Sequence, residues 1–199
     1  MGRVLRSTCL AVVLAAVAGL HAQSSPRPTW RIAEAPPEYR PVVSRADVVI
    51  DAMLDALLWE LNSGLEQGGP TLAIKSCHVD STRVSQRIGR ESGLAAGRTS
   101  DRLRNPTNAP RPWAAPLVKE YAGRQAREVD GFVVDLGDKV GVMRPIVQRP
   151  MCGACHGHSG KFATAVRAEL KERYPVDRAT GFEDGQIRGW FWVEVPKQR

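Results

Sequence analysis

The chain has 199 residues, 43% of them hydrophobic, and a formal net charge of +7. That apolar share is enough for one domain with its own core and excludes a chain too polar to fold. The arginines are dispersed and form no basic run. No helix-turn-helix, zinc finger or aromatic stacking platform accompanies them, so a nucleic-acid partner is not expected.

The start, MGRVLRSTCLAVVLAAVAGLHAQ, reads as a secretory signal peptide over residues 1–22. Arg3 and Arg6 form its charged head, Cys9 to Leu20 its apolar stretch, and small residues lead to a cut after Ala22. The apolar run is shorter than the roughly 20 residues a spanning helix needs, so no stable membrane anchor is expected after cleavage. Cleavage removes Cys9, and the exported chain keeps Cys77, Cys152 and Cys155.

Residues 23–43 hold Pro26, Pro28, Pro36, Pro37 and Pro41 and read as a linker, with the domain expected over 44–199. Ser44 is placed to cap a helix, and Ile50, Leu54, Leu57, Leu61 and Leu65 recur at helical spacing. Gly68-Gly69-Pro70 ends that helix. A second helix is expected over 71–88, with Ile74, Cys77, Ser81, Val84 and Ile88 on one face and His78 rotated about 100° away. The ordinary reading of Cys77 is a small buried apolar residue.

The run Arg104-Asn105-Pro106-Thr107-Asn108-Ala109-Pro110 has turn chemistry throughout. A third helix is expected from Pro112 or Trp113 to Gly131, with Leu117, Val118, Tyr121 and Val129 on its apolar side. Residues 132–136 and 140–147 read as a hairpin about Gly137-Asp138-Lys139. Residues 161–173 read as a helix. In 186–195, Ile187, Phe191, Val193 and Val195 alternate with Arg188, Trp190, Trp192 and Glu194, the period of a strand. The expected class is α+β: one domain with a long N-terminal helix and an antiparallel sheet covered by helices on one side.

The chemistry concentrates in Cys152-Gly153-Ala154-Cys155-His156. This is the C-x-x-C-H pattern of covalent c-type haem attachment. Each thiol adds across one haem vinyl group, and the two-residue gap matches the two vinyls. His156 follows at once and offers a proximal imidazole to the iron. A CxxC pair also serves zinc sites and disulfides. The adjacent histidine and the exported chain favour one covalent haem c, attached by the haem maturation machinery. Arg98 and Arg104 are candidates to pair with haem propionates, since guanidinium forks suit carboxylates; hydrogen bonding within turns is their other reading.

Several segments in order resemble the bacterial c-type haem-binding, PAS-like sensor domains. They are Ala73-Ile74-Lys75-Ser76-Cys77, Gly97-Arg98-Thr99-Ser100, Leu103-Arg104-Asn105-Pro106 with Asn108 and Pro110, and Arg144-Pro145-Ile146 ahead of the CxxCH motif. Tyr174-Pro175-Val176-Asp177-Arg178-Ala179-Thr180-Gly181 and Gly185-Gln186-Ile187-Arg188-Gly189 complete the set. The resemblance implies a PAS-like fold and an axial pair of His156 and Cys77. His78-Val79-Asp80 departs from the family pattern and leaves a ligand switch open. Met143 is the next candidate should Cys77 not reach the iron.

The expected function is therefore an exported, periplasmic sensor of redox state or of a small gas. The alternative is a monohaem electron carrier. No catalytic set is visible, so an enzyme is not expected. No transmitter domain follows Arg199, and a separate signalling or redox partner protein is expected to carry the output.

Overall fold

The computed structural model describes residues 27–197, and within them not the side chains of 79–82. The expected signal peptide, Cys9, the first residues of the expected linker and the Ser81 side chain lie outside what is described. Among the described residues no helix is long and apolar enough to cross a membrane.

The fold is α+β, built on a five-stranded antiparallel sheet. Its strands are β1 (Thr29–Arg31), β2 (Ala95–Thr99), β3 (Phe132–Asp135), β4 (Lys139–Val147) and β5 (Ile187–Pro196), in the order β1-β3-β4-β5-β2. Among the described residues four α-helices accompany them: α1 (Arg40–Ser92), α2 (Ala115–Glu120), α3 (Gly153–His156) and α4 (Thr164–Arg173).

Helix α1 is two arms rather than one rod. Gly68 and Gly69 leave helical geometry, and Gly69 has φ 69°, which only glycine adopts without strain. Pro70 then starts the second arm, where its missing N–H costs nothing. The arms fold back on each other. Ala46, Val49, Ile50 and Met53 of the first share a buried cluster with Val84 and Ile88 of the second. Met53 and Val84 lie at nearly equal distances in sequence from the break, as an antiparallel hairpin requires. Gly64 allows the arms to approach, since a Cβ there would stand 2.7 Å from the Cα of Ala73.

The hairpin lies on one face of the sheet, against Val133, Val142, Phe191 and Val193. The other face is also covered, contrary to the one-sided expectation. Ala114, Val118 and Tyr121 from the α2 region pack there on Phe132, Met143, Ile187 and Trp190.

The expected linker is partly domain. Residues 29–31 pair with β3, Trp30 packs on Tyr39 with ring centroids 5.1 Å apart, and α1 begins five residues before Arg45. Pro41 sits in the first turn of the helix, where its fixed φ suits helical geometry; read as a linker residue it conceals the start. The third expected helix is only six residues long, because the chain turns at Gly123 with φ 74°. Strand β2 gives no apolar alternation in Ala-Ala-Gly-Arg-Thr. Its Gly97 lies opposite Trp192 and leaves room for that indole.

The close approach at Gly64 is testable. Gly64→Ala is expected to destabilise the chain by about 1–3 kcal/mol, the usual cost of overpacking. Gly160→Ala, where a Cβ meets nothing within 4 Å, is expected to stay within about 0.5 kcal/mol. Urea midpoints of the two variants check this, and equal midpoints would contradict the hairpin packing.

Candidate functional site

A single turn of 3-10 helix (Pro150–Cys152) runs directly into α3. The two thiols are therefore three residues apart on helical backbone and lie on one side of it. Cys77, Cys152 and Cys155 are all free thiols and all half-buried.

His156 is oriented by its backbone surroundings. Its Nδ1 lies 2.8 Å from the carbonyl oxygen of Ala179. A carbonyl only accepts, so Nδ1 carries the hydrogen and Nε2 keeps its lone pair. This is the arrangement that presents an imidazole as a metal ligand. Burial, reinforced by the charges of Arg188 and Arg104, holds the imidazole well below its ordinary pKa, so it is neutral near pH 7.

Cys77, Arg98, Arg104, Cys152, Cys155 and His156 all line one cavity of about 240 Å³. The structure thus brings these six residues into one place. Leu54, Leu57, Leu58, Leu61 and Leu65 of the first α1 arm form an apolar wall. These leucines are half-buried rather than core, because they face the cavity. The second arm contributes Ile74 and Cys77, and the sheet contributes Ile146 and Phe191. Burial pushes the Cys77 thiol pKa up, while the charges of Arg98, Arg104 and Arg188 oppose that shift.

The arginines divide into two kinds. Arg104 is fully engaged: its Nε lies 3.0 Å from Asp177 Oδ2, and its Nη2 donates to the carbonyls of Cys155 and Ala179. These partners lie 51 to 75 residues away in sequence, so Arg104 ties separate segments together rather than bonding within its own turn. Arg98 and Arg188 are different. The Nε of each is sealed from water and has no partner, as does the buried Thr99 Oγ1 beside them. Among the described residues, no carboxylate forms a salt bridge with either arginine. Burial first, and the neighbouring Arg188 second, pull Arg98 down to about 10. Two enclosed cations without an acid call for an anionic partner. The donor set fits a flat apolar group that carries carboxylates and a metal.

Arg188 is the site residue that alternation conceals. Ile146 pairs with Gly189 and Val147 with Ile187, which leaves Arg188 as the extra residue of a β-bulge. The bulge puts Ile187 in the cluster with Trp190 and turns Arg188 to the cavity. The segment Gly185–Gly189 pointed at this stretch, yet strict period 2 set Arg188 on the face of Trp190.

Two side candidates lie elsewhere. Met143 is fully buried on the opposite face of the sheet. His78 is exposed and meets Tyr174 edge-on, with ring centroids 4.9 Å apart. Among the described residues, no three His, Cys, Asp or Glu side chains assemble as a metal-binding group.

Uncompensated cations in a cavity lower the stability of the polypeptide. Arg98→Met is expected to stabilise the chain without any bound group by about 1 kcal/mol, or roughly 2–4 °C in melting temperature. Calorimetry checks it, and a lower melting temperature would mean that Arg98 has a partner within the chain.

The sequence model of the family described as Tll0287-like matches residues 19–196. The crystal structure of the cyanobacterial heme-protein Tll0287 has the same fold, with a TM-score of 0.56 at 24% identity, over 83% of this chain and 99% of that one. No curated protein is significantly similar. The family match spans nearly all of the sequence, and the chain belongs to the Tll0287-like family.

Proposed function

We propose that this is an exported protein with a PAS-like fold that carries one covalent haem c and senses redox state or a small gas. Cys152 and Cys155 would hold the haem by thioethers, His156 would be the proximal ligand and Cys77 the distal one. Arg98 and Arg188 would meet the propionates. The observation that carries the reading is one leucine-walled cavity that holds Cys77, Cys152, Cys155 and His156 together with Arg98 and Arg188, whose Nε atoms have no partner, with the unprotonated His156 Nε2 facing Arg188 Nη1 at 3.3 Å. The heme-protein of the same fold supports it.

A bound haem supplies an iron that exchanges one electron and offers two axial positions. The chain's own contribution is unequal on the two sides. His156 sits on a turn strapped by backbone bonds, Phe182 N to His156 O at 3.1 Å and Gly181 N to Gly157 O at 2.7 Å. Cys77 sits about a third of the way along the second α1 arm. As a thiolate it is a strong ligand, and as a neutral thiol a weak one, so loss of its charge would undock that arm. A helix with a docked and an undocked position is a signalling element, whose output passes to a separate partner protein. An electron carrier would keep both ligands fixed.

Three outcomes are expected of protein produced with haem maturation machinery. Acid–acetone extraction of denatured protein leaves the pigment on the chain, and Cys152→Ala with Cys155→Ala releases it. Pigment that extracts from the wild type would sink the covalent reading. Cys77→Ala changes the ferric spectrum and raises the reduction potential, within the roughly 0.8 V that axial ligands span, while His78→Ala does much less. An unchanged spectrum would remove Cys77 from the iron. Carbon monoxide binds the reduced protein and speeds hydrogen exchange over residues 71–88. Exclusion of the gas with no change in exchange would favour the electron carrier.

A further inference from the structure

We infer that Arg104 and Asp177 act together as a positioning clamp that fixes the Ala179 carbonyl and, through it, the orientation and donor strength of His156. The inference rests on the haem reading for its redox consequence but not for its geometry.

The clamp closes on Ala179 from both sides of one peptide segment. Asp177 Oδ1 accepts from the N–H of Ala179 at 2.8 Å. Asp177 Oδ2 accepts from Arg104 Nε, and Arg104 Nη2 lies 3.0 Å from the same oxygen. That Nη2 also reaches the Ala179 carbonyl at 3.3 Å. The carbonyl is the acceptor for His156 Nδ1–H. The same guanidinium donates to the carbonyl of Cys155, the residue immediately before His156. Its Nη1 lies 3.5 Å from His156 Nε2. Arg104 therefore touches both ends of the imidazole's mounting, the backbone that carries the ring and the oxygen that orients it.

The ion pair is sheltered, with 15% of the Arg104 and 11% of the Asp177 side chain exposed, and Ala179 is buried. Water therefore competes poorly for the carbonyl, and its direction depends on the clamp. A backbone bond from Arg178 N to Leu103 O at 2.9 Å ties the two strands of the clamp together. The stacking of Arg104 over Tyr174, 5.4 Å from the ring centroid, holds the guanidinium plane. This accounts for two sequence segments that the ligands alone leave unexplained, Leu103-Arg104-Asn105-Pro106 and Tyr174-Pro175-Val176-Asp177.

An outer partner that holds a histidine N–H acceptor raises the basicity of the ligand nitrogen. Loosening it makes His156 a weaker donor, which favours reduced iron. A plain charge effect predicts otherwise, since Arg104→Lys keeps the charge and would leave the potential alone. A single ammonium replaces the fork and cannot bridge Asp177, Ala179 and Cys155 at once.

The test uses full-length holoprotein of the wild type, Arg104→Lys and Asp177→Asn. Two quantities are read: the reduction potential, and the solvent-exchange rate of His156 Nδ1–H by proton NMR. Arg104→Lys is expected to shift the reduction equilibrium toward the reduced form about tenfold, equivalent to about 59 mV for one electron. It is also expected to speed Nδ1–H exchange at least tenfold. Asp177→Asn is expected to speed the exchange similarly, and it serves if the lysine variant does not fold. Wild-type exchange and potential in Arg104→Lys would overturn the clamp. A chain that never acquires haem would instead defeat the haem reading, and nitrogen NMR of the haem-free full chain would still report the His156 tautomer. A tautomer other than Nδ1–H in that wild-type chain would overturn the clamp by itself.

Discussion

The break at Gly68-Gly69 is the constraint on which the site depends. Without it α1 would be a rod of 53 residues, about 80 Å long at 1.5 Å per residue, and Cys77 would project far from the sheet. With it the two arms become a hairpin, one lending the leucine wall and the other Cys77. Both walls then face the arginine-bearing strands β2 and β5. The hairpin is held by burial of Met53 and its neighbours against Val84 and Ile88. Each buried aliphatic side chain contributes about 1.5–3 kcal/mol.

The second constraint is electrostatic. A folded chain seldom encloses two guanidinium groups without an acid, since charge burial without pairing is costly. Arg98 and Arg188 nevertheless share the cavity with unpartnered Nε atoms. A buried carboxylate elsewhere in this protein shows the usual solution. Glu194 accepts from Arg111 and from Trp113 Nε1, each at 2.9 Å, and pairs with Lys139 at 3.4 Å. Among the described residues no such carboxylate pairs with Arg98 or Arg188, and the two carboxylates of the proposed haem would take that part.

Much of this was legible in the sequence because it rests on local chemistry. The Gly-Gly-Pro break, the 132–147 hairpin and the CxxCH turn are each written within a few residues. The six candidate site residues, spread from Cys77 to His156 in sequence, all line one cavity. What escaped the sequence depends on tertiary context. Strand β2 has a sequence poor in β-formers and is held by pairing with β5. Strand β1 hides among prolines. Arg188 lies on a bulge, and bulges are set by the partner strand rather than by the residues that form them. The engaged state of Arg104 is likewise invisible until Asp177, 73 residues away, is brought beside it.

The two sides of the cavity differ in how they are anchored, and this bears on sensing against carrying. The side that carries His156 is fixed by backbone bonds from residues 181 and 182 and by the Arg104–Asp177 pair. Around Cys77 the second α1 arm is anchored to α4 mainly through Ile74, which packs in the cluster of Phe162, Val166 and Leu170. The nearby ion pair, Lys75 to Glu169 at 3.8 Å, leaves the lysine 48% exposed. A surface pair of that kind contributes roughly 0–1 kcal/mol. The far part of the arm is held by Val84 and Ile88 in the core, and the stretch around Cys77 by Ile74, the His78–Tyr174 ring contact and one weak ion pair, so the iron bond proposed for Cys77 would add to the docking of that stretch. A structure that only carried electrons would gain from equal rigidity on both sides. On the proposed reading, a ligand at Cys77 would sit on the less strapped side of the cavity and would tie the position of a helix segment to the state of a single bond.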